Sequence, residues 1–400
     1  MAHIVHINTV ADTFTGVGSV IATLAAEQRR MGLAVSVAAG YVRPRYGTFA
    51  DYVISSAWRH RAAALEARLR ANDGSLCHKA TLRLIRWLES SGDISALHLH
   101  NLHGYYIDAP TLLKWAWATR TKVVVTLHDH WWCSGRCAYI AKDCDTECLN
   151  CRHRNAYPAT WLPSGGNTAD ERTRRRDVAR IMAATIADFV APSQCIADLA
   201  SERLDIPVRV IRNGIDSAIF YAKGRSCQPA TALNVIAVAA TWTRAKGGDI
   251  LRAVASSLPE NWHLTVVGKN APVEASPHIR IIEYATPEAL AALYREADVL
   301  LSTATDEAFG MTVAEALSCG TPAVVNAATA TAELVASGVN GFAIDMAADA
   351  PSAVIDALSR AASLCIPPPD ISLSSSAMAH AYVPLYTLRA SDEANFRNFP

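Results

Sequence analysis

Short apolar runs alternate along the chain with longer stretches whose apolar residues recur every three or four positions, a pattern that predicts strands and helices taking turns. In the first half, strands are predicted at 3–7, 34–38, 97–100, 122–127, 189–191 and 208–212. Their near-continuous apolar character predicts a parallel sheet covered on both faces. Residues 18–31 read as a helix, with Gly32 as its stop. The pattern restarts with strands at 235–239, 263–267, 279–283, 299–302 and 323–326. Two successive doubly wound α/β units follow. Turn residues at Asn213-Gly214, Lys223-Gly224 and Pro229 put the boundary within 213–232. The expected organisation is a first domain over 1–212 and a second over 213–375, its pattern ended by a Pro- and Ser-rich stretch at 364–376. A last helical segment follows over 376–400.

Composition narrows the class. With 400 residues, 51% of them hydrophobic and 18% charged, there is apolar material for two cores, and disorder as the main state is excluded. No run of uninterrupted apolar residues is long enough to span a bilayer. The opening MAHIVHINTV has no basic segment ahead of an apolar one, so the expectation is a soluble cytoplasmic protein. The net charge of zero hides a split: residues 1–212 carry 26 Lys+Arg against 19 Asp+Glu, and residues 213–400 carry 11 against 18. A basic front half can draw anionic partners to one side; an ordinary solvated surface is the other reading.

Several segments carry chemistry. The loop 13–19 joins a strand to a helix and holds Gly16 and Gly18, which allow close backbone approach at a helix N-terminus. Its spacing lacks the third glycine of a dinucleotide fingerprint, since position 21 is Ile21. His98 and His100 share one face at the end of a strand, where a substrate contact, a metal pair or plain packing all remain open. The strand 122–127 runs into His128-Asp129-His130, again at a strand end, and His128 is a candidate functional group.

Cysteines cluster immediately afterwards. Cys133, Cys137, Cys144, Cys148 and Cys151 fall within 133–151, and the Cys148-x2-Cys151 pair has the spacing of a zinc site. A structural zinc held by Cys137, Cys144, Cys148 and Cys151 would order this polar loop; two disulfides or free thiols are the alternatives.

In the second half, Arg244 and Lys246 precede Gly247-Gly248 where a strand gives way to a helix, an arrangement suited to a diphosphate. The segment 302–322 is the most specific. A strand ends near the exposed Glu307, and a helix begins near Gly310 with Glu315 eight positions beyond the first acid. Amides of Gly310, Met311 and Thr312 would meet a phosphate at the positive helix end.

Glu307 to Glu315, with Phe309-Gly310 between and Gly320-Thr321-Pro322 after, resembles the E-x7-E segment of family 4 retaining glycosyltransferases. The glycine loop, His128, Lys246-Gly247 and Asn213-Gly214-Ile215-Asp216 support the resemblance, which covers most of the chain. Within that family, the histidine-rich segment 98–106 and the cysteine loop are similar to the branch that builds colanic-acid-like exopolysaccharides. The resemblance implies a GT-B fold: two Rossmann-like domains facing across a cleft, with the last helix crossing back to the first domain. It implies a nucleotide sugar held mainly by the second domain and a glycan or polyprenyl-diphosphate-linked acceptor by the first. Glu315 would hold ribose hydroxyls and Glu307 donor-sugar hydroxyls, Lys246 would neutralise the diphosphate, and His128 would reach the donor sugar. No cofactor is expected for catalysis, and nucleic acid is not an expected partner. One departure is plain: the Arg often found five residues before the Lys is Thr241 here, and Arg244 is the nearest substitute.

The expected activity is therefore retaining glycosyl transfer in exopolysaccharide biosynthesis, and the basic half is expected to dock on an anionic inner membrane surface. A nucleotide-sugar epimerase of the same fold and an inactive binding scaffold are the competing classes. An epimerase would convert donor without acceptor, and a scaffold would have lost Lys246 or Glu307, which are both present.

Overall fold

The computed structural model describes residues 2–70, 74–133, 138, 178–223, 232–346, 351–366 and 371–388. The chain divides into two compact units. The first comprises 1–192, 196–211 and 379–400, the second 193–195 and 212–378.

The first unit is built on seven strands: β1 (His3–Asn8), β2 (Ala34–Ala39), β3 (Tyr52–Val53), β4 (Ala96–Leu99), β5 (Lys122–Thr126), β6 (Ala187–Ala191) and β7 (Val208–Val210). Their order is β3-β2-β1-β4-β5-β6-β7, and every pairing is parallel. The helix Gly16–Arg30 follows β1. Thr15 caps its start by accepting from the Gly18 N–H, and Gly32 takes a positive φ just past its end, as the sequence predicts. The strands are apolar on both sides because helices cover both faces; every residue of β5 is buried.

The second unit holds β8 (Asn234–Thr241), β9 (His263–Lys269), β10 (Ile279–Ile282), β11 (Val299–Ser302), β12 (Ala323–Asn326) and β13 (Gly341–Ile344), in the order β10-β9-β8-β11-β12-β13. Alternate residues of one strand feed two cores. Val235, Ala237 and Ala239 pack with Leu251, Val254 and Leu358 on one face, while Ile236 packs with Tyr294, Val313 and Leu317 on the other. That double packing makes the unit doubly wound.

Two details differ from expectation. The two-residue β3 is too brief to leave a periodicity in the sequence, and β13, which starts on a glycine and is otherwise only partly buried, lies outside the predicted strands. Among the described residues, the last helix runs over Ser375–Tyr382 and gives way to a 3-10 turn at Val383–Tyr386. Pro384, which has no N–H to donate, sits in that turn. Among the described residues, no helix is long and apolar enough to cross a membrane.

Candidate active site

In an open parallel sheet, ligands meet the strand C-termini where the strand order reverses. In the second sheet that point lies between β8 and β11, so the loops after these strands define the candidate site. After β8 the chain forms a 3-10 turn at Arg244–Lys246, and Gly247 then takes a left-handed conformation (φ 68°) to open the helix Gly248–Ala255. The loop after β11 straps this turn down. The Thr303 hydroxyl donates to the Lys246 carbonyl at 3.0 Å, and the Thr305 and Asp306 amides donate to the Ala245 carbonyl at 2.9 and 3.2 Å.

The strap brings Lys246 against Glu307, and the ammonium donates to the carboxylate in a short contact. Both side chains keep partial access to solvent, at 34% and 22%. Immediately beyond, Gly310 adopts φ 95° and begins the helix Met311–Ser318 with no side chain capping its first turn. A Cβ at Gly310 would lie 2.5 Å from Thr331 Cγ2, so the loop has room here only for glycine. The site thus combines a pinned cation, a carboxylate and a helix start whose first amides have no intrahelical acceptor. Chemically, it can hold an anion and hydroxyl groups together.

Glu315 lies one turn into that helix and is buried. The Tyr294 hydroxyl donates to its Oε2 at 3.2 Å. Burial pushes its carboxyl from the ordinary 4.5 up to about 8, only partly opposed by the tyrosine bond. The folded state therefore binds this proton more tightly than the unfolded chain does between those values. For this group, stability is greatest below about 4.5 and falls as pH rises through about 8. The melting temperature of the ligand-free protein should drop between pH 5 and pH 8.5, and the drop should shrink in Glu315→Gln. Parallel melting profiles for the two proteins would refute this assignment.

The other residues expected at this site divide by exposure. Met311 and Thr312 are partly exposed at the helix start, and Arg244 is exposed on the turn. Phe309 is 3% exposed and packs in the core with Val313 and Leu334, so its ring is structural and only its backbone borders the site.

In the first sheet the order reverses between β1 and β4. Gly16 is exposed at the helix start, whereas Gly18 is buried with its N–H given to Thr15. Beside this loop, Arg43 grips the buried Asp12 with two bonds, of 2.8 and 2.6 Å, and lies over the Phe14 and Tyr46 rings. His98 and His100 do not open to solvent: both are buried and hydrogen-bonded inside the first unit. His128 is partly exposed, and burial lowers its pKa to about 4, with neighbouring Asp129 pulling the other way. Burial opposes the charge of Asp129, yet His103, at 2.6 Å, and the Trp131 amide hold its carboxyl below the ordinary value. Cys133 is buried, and burial raises its thiol to about 12, so it stays protonated. Cys137, Cys144, Cys148 and Cys151 lie outside the described residues.

Comparison with known proteins adds the family context. The Glycosyltransferase Family 4 model matches residues 14–218, and the model for glycosyl transferases group 1 matches residues 228–363. A provisionally named colanic acid biosynthesis glycosyl transferase, WcaC of Escherichia coli (strain K12), is 26% identical over 266 residues, or 63% of this chain and 64% of that protein. A D-inositol 3-phosphate glycosyltransferase of Mycolicibacterium smegmatis is 26% identical over 245 residues, covering 55% of this chain and 56% of the relative. The chain thus spans under two thirds of these relatives' lengths. Among solved structures, Anabaena Alr3699/HepE in complex with UDP-glucose superposes with a TM-score of 0.57 at 15% identity over 99% of both chains. A sucrose-phosphate synthase from Thermosynechococcus elongatus does so with a TM-score of 0.60 at 15% identity, over 98% of this chain and 97% of that one. At such identities the likeness establishes the fold, which is GT-B: two units, each a doubly wound parallel sheet.

Proposed function

Because the chain belongs to glycosyltransferase family 4, we propose that it moves a sugar from a nucleotide-sugar donor to a glycan or lipid-linked acceptor, with retention at the anomeric carbon. The observation that carries this reading is the Lys246–Glu307 pair, strapped beside the uncapped helix start at the second sheet's switch point. In this reading Lys246 and the amides of Met311 and Thr312 meet the donor's diphosphate. Glu307 accepts from donor-sugar hydroxyls, Glu315 from the ribose, and His128 meets the sugar.

Breaking the bond from the anomeric carbon to the diphosphate oxygen builds negative charge on that oxygen. A fixed cation and fixed amides stabilise such charge without reorganising. The acceptor oxygen forms its bond on the same face, and the departing phosphate oxygen takes its proton. Glu307, occupied with hydroxyl groups and Lys246, is not needed as a nucleophile. Incubation with a panel of nucleotide sugars should show donor-dependent thermal stabilisation, and labelled sugar should appear in a glycan or polyprenyl-diphosphate acceptor. Epimerised donor without any transfer would replace this reading with epimerisation.

Exopolysaccharide synthesis is the process this reading favours, by similarity to the colanic acid relative. A lipid-linked acceptor would bring the enzyme to an anionic membrane surface. The helix Ala57–Arg70 supports that step: Trp58 is 66% exposed with the Arg59 guanidinium 5.2 Å from its ring, and Arg61 is also exposed. Surface cations near anionic lipid contribute about 1 kcal/mol each. The protein should bind anionic vesicles, release in high salt, and bind less well as the double variant Arg59→Glu/Arg61→Glu. Equal partitioning onto neutral vesicles would rule the mechanism out.

For the cysteine loop, the spacing of Cys137, Cys144, Cys148 and Cys151 supports a structural zinc. About one zinc per chain is expected in protein purified without chelator; metal-free protein with freely reactive thiols would defeat this.

A further inference from the structure

Four imidazoles lie on one line of hydrogen bonds inside the first unit. His6 and His98 are register partners on β1 and β4, with ring centroids 4.8 Å apart, and His100 stacks on His98 at 4.2 Å. The Gln28 carboxamide oxygen lies 2.8 Å from His6 Nε2. His6 Nδ1 is 3.0 Å from His100 Nε2, and His100 Nδ1 is 2.9 Å from His128 Nε2. On its other side the Gln28 amide nitrogen donates to the Tyr386 hydroxyl at 2.7 Å. That hydroxyl is 3.0 Å from His98 Nδ1, and His98 Nε2 meets Thr126 Oγ1 at 2.7 Å.

A cluster of three buried histidines invites a metal reading, since one nitrogen from each of His6, His98 and His100 lies within 4.8 Å of the others. Yet all six ring nitrogens already have hydrogen-bond partners. A cation would have to break into a fully paired network. The bonds themselves are the better account of the cluster.

A neutral imidazole has one N–H and one lone pair, so each bond in the line dictates the direction of the next. Burial keeps the line neutral, lowering His6 and His128 to about 4 and His98 and His100 well below the ordinary value. Only two polarities remain for the arm His6–His100–His128, and the Gln28 amide beside His6 selects between them. With the Gln28 oxygen toward His6, the proton sits on Nε2 of His6, then on Nε2 of His100, then on Nε2 of His128.

We propose that Gln28, acting through His6 and His100, is a positioning residue that locks His128 as its Nε2–H tautomer and leaves Nδ1 as an acceptor for a hydroxyl of the transferred sugar. His128 Nδ1 has no partner among the described residues, and the side chain is partly exposed. Gln28 itself is fully buried, so it acts through the imidazoles rather than on a ligand. The relay discriminates by hydrogen-bond direction: a sugar hydroxyl that donates is met by a lone pair, and an analogue lacking that hydrogen loses the contact. The proposal rests on the reading that His128 meets the donor sugar. The lock itself is measurable without any sugar, so the two can fail separately.

The experiment is nitrogen NMR of the full chain labelled at histidine, with His128 assigned by its loss in His128→Asn. Wild-type protein near neutral pH should show His128 as a single tautomer protonated at Nε2. Gln28→Leu, which removes the selecting amide, should give a mixture of tautomers. In a transfer assay the leucine variant should then lose about twofold in apparent donor affinity, as expected when half the population is wrongly set. A wild-type His128 that exchanges between tautomers or carries its proton on Nδ1 would overturn the proposal. So would a Gln28→Leu spectrum identical to wild type, or zinc shifting the His6, His98 and His100 signals together. If Gln28→Leu does not fold, the wild-type spectrum decides alone.

Discussion

Replacing Lys246 by alanine should lower the turnover of sugar transfer by about 10²–10³, the usual cost of removing one fixed group that stabilises charge in the transition state, ~3–4 kcal/mol. The magnitude follows from how the ammonium is held. Its backbone carbonyl is tied by Thr303, the neighbouring Ala245 carbonyl by Thr305 and Asp306, and its Nζ by Glu307. With its backbone turn tied by three bonds and its ammonium held by Glu307, the lysine needs little rearrangement as the diphosphate departs. Arg244, two positions earlier, is exposed, and no ion pair fixes its guanidinium among the described residues. Arg244→Ala should therefore cost less than tenfold, felt mainly in donor KM, whereas Lys246→Ala should act mainly on kcat. Equal losses in the two variants would mean that the turn presents a diffuse positive patch. Wild-type turnover in Lys246→Ala would remove the lysine from the chemistry altogether.

How much of this was legible beforehand depends on the distance over which each interaction acts. The two doubly wound units follow from apolar runs of strand length, which are local, and so does the two-acid spacing of Glu307 and Glu315. The Lys246–Glu307 pair joins residues 61 positions apart and exists only because β8 and β11 are neighbours in the sheet. Tyr294, which holds Glu315, comes from a different helix, and its aromatic ring reads in the sequence as ordinary core. The relay shows the same limit more sharply. His98 and His100 stand out as an alternating pair, but His6 and Gln28 carry no motif. The signal was the register: His6 faces His98 across β1 and β4, at the point where strand order reverses. In the sequence His98 and His100 fall at a strand end, where substrate contact stays open. Tertiary packing took them inside, where Tyr386, from the end of the chain, bonds both Gln28 and His98.

The same dependence on a close tertiary approach makes Gly247 a position where one methyl group should do severe damage to the second unit and to the site at once. Gly247 sits at φ 68°, and a Cβ built on it would lie 1.7 Å from the Thr303 carbonyl oxygen. The left-handed conformation alone costs a non-glycine residue about 1–2 kcal/mol. The clash is with backbone, so no rotamer change relieves it, and Thr303 follows directly on β11. Either the turn or the strand exit must move, and the bonds that hold Lys246 against Glu307 run through both. Gly247→Ala should therefore destabilise the protein by about 3 kcal/mol or more and abolish transfer even at temperatures where it stays folded. Gly338 supplies the control. It has φ 78° with nothing within 4 Å of a built Cβ, so Gly338→Ala carries the conformational cost without the collision. The difference between the two in denaturant melts isolates the close approach of the two loops. If Gly247→Ala were no less stable than Gly338→Ala, the loop after β8 would be free to shift, and the pinning of Lys246 on which the catalytic argument rests would fall with it.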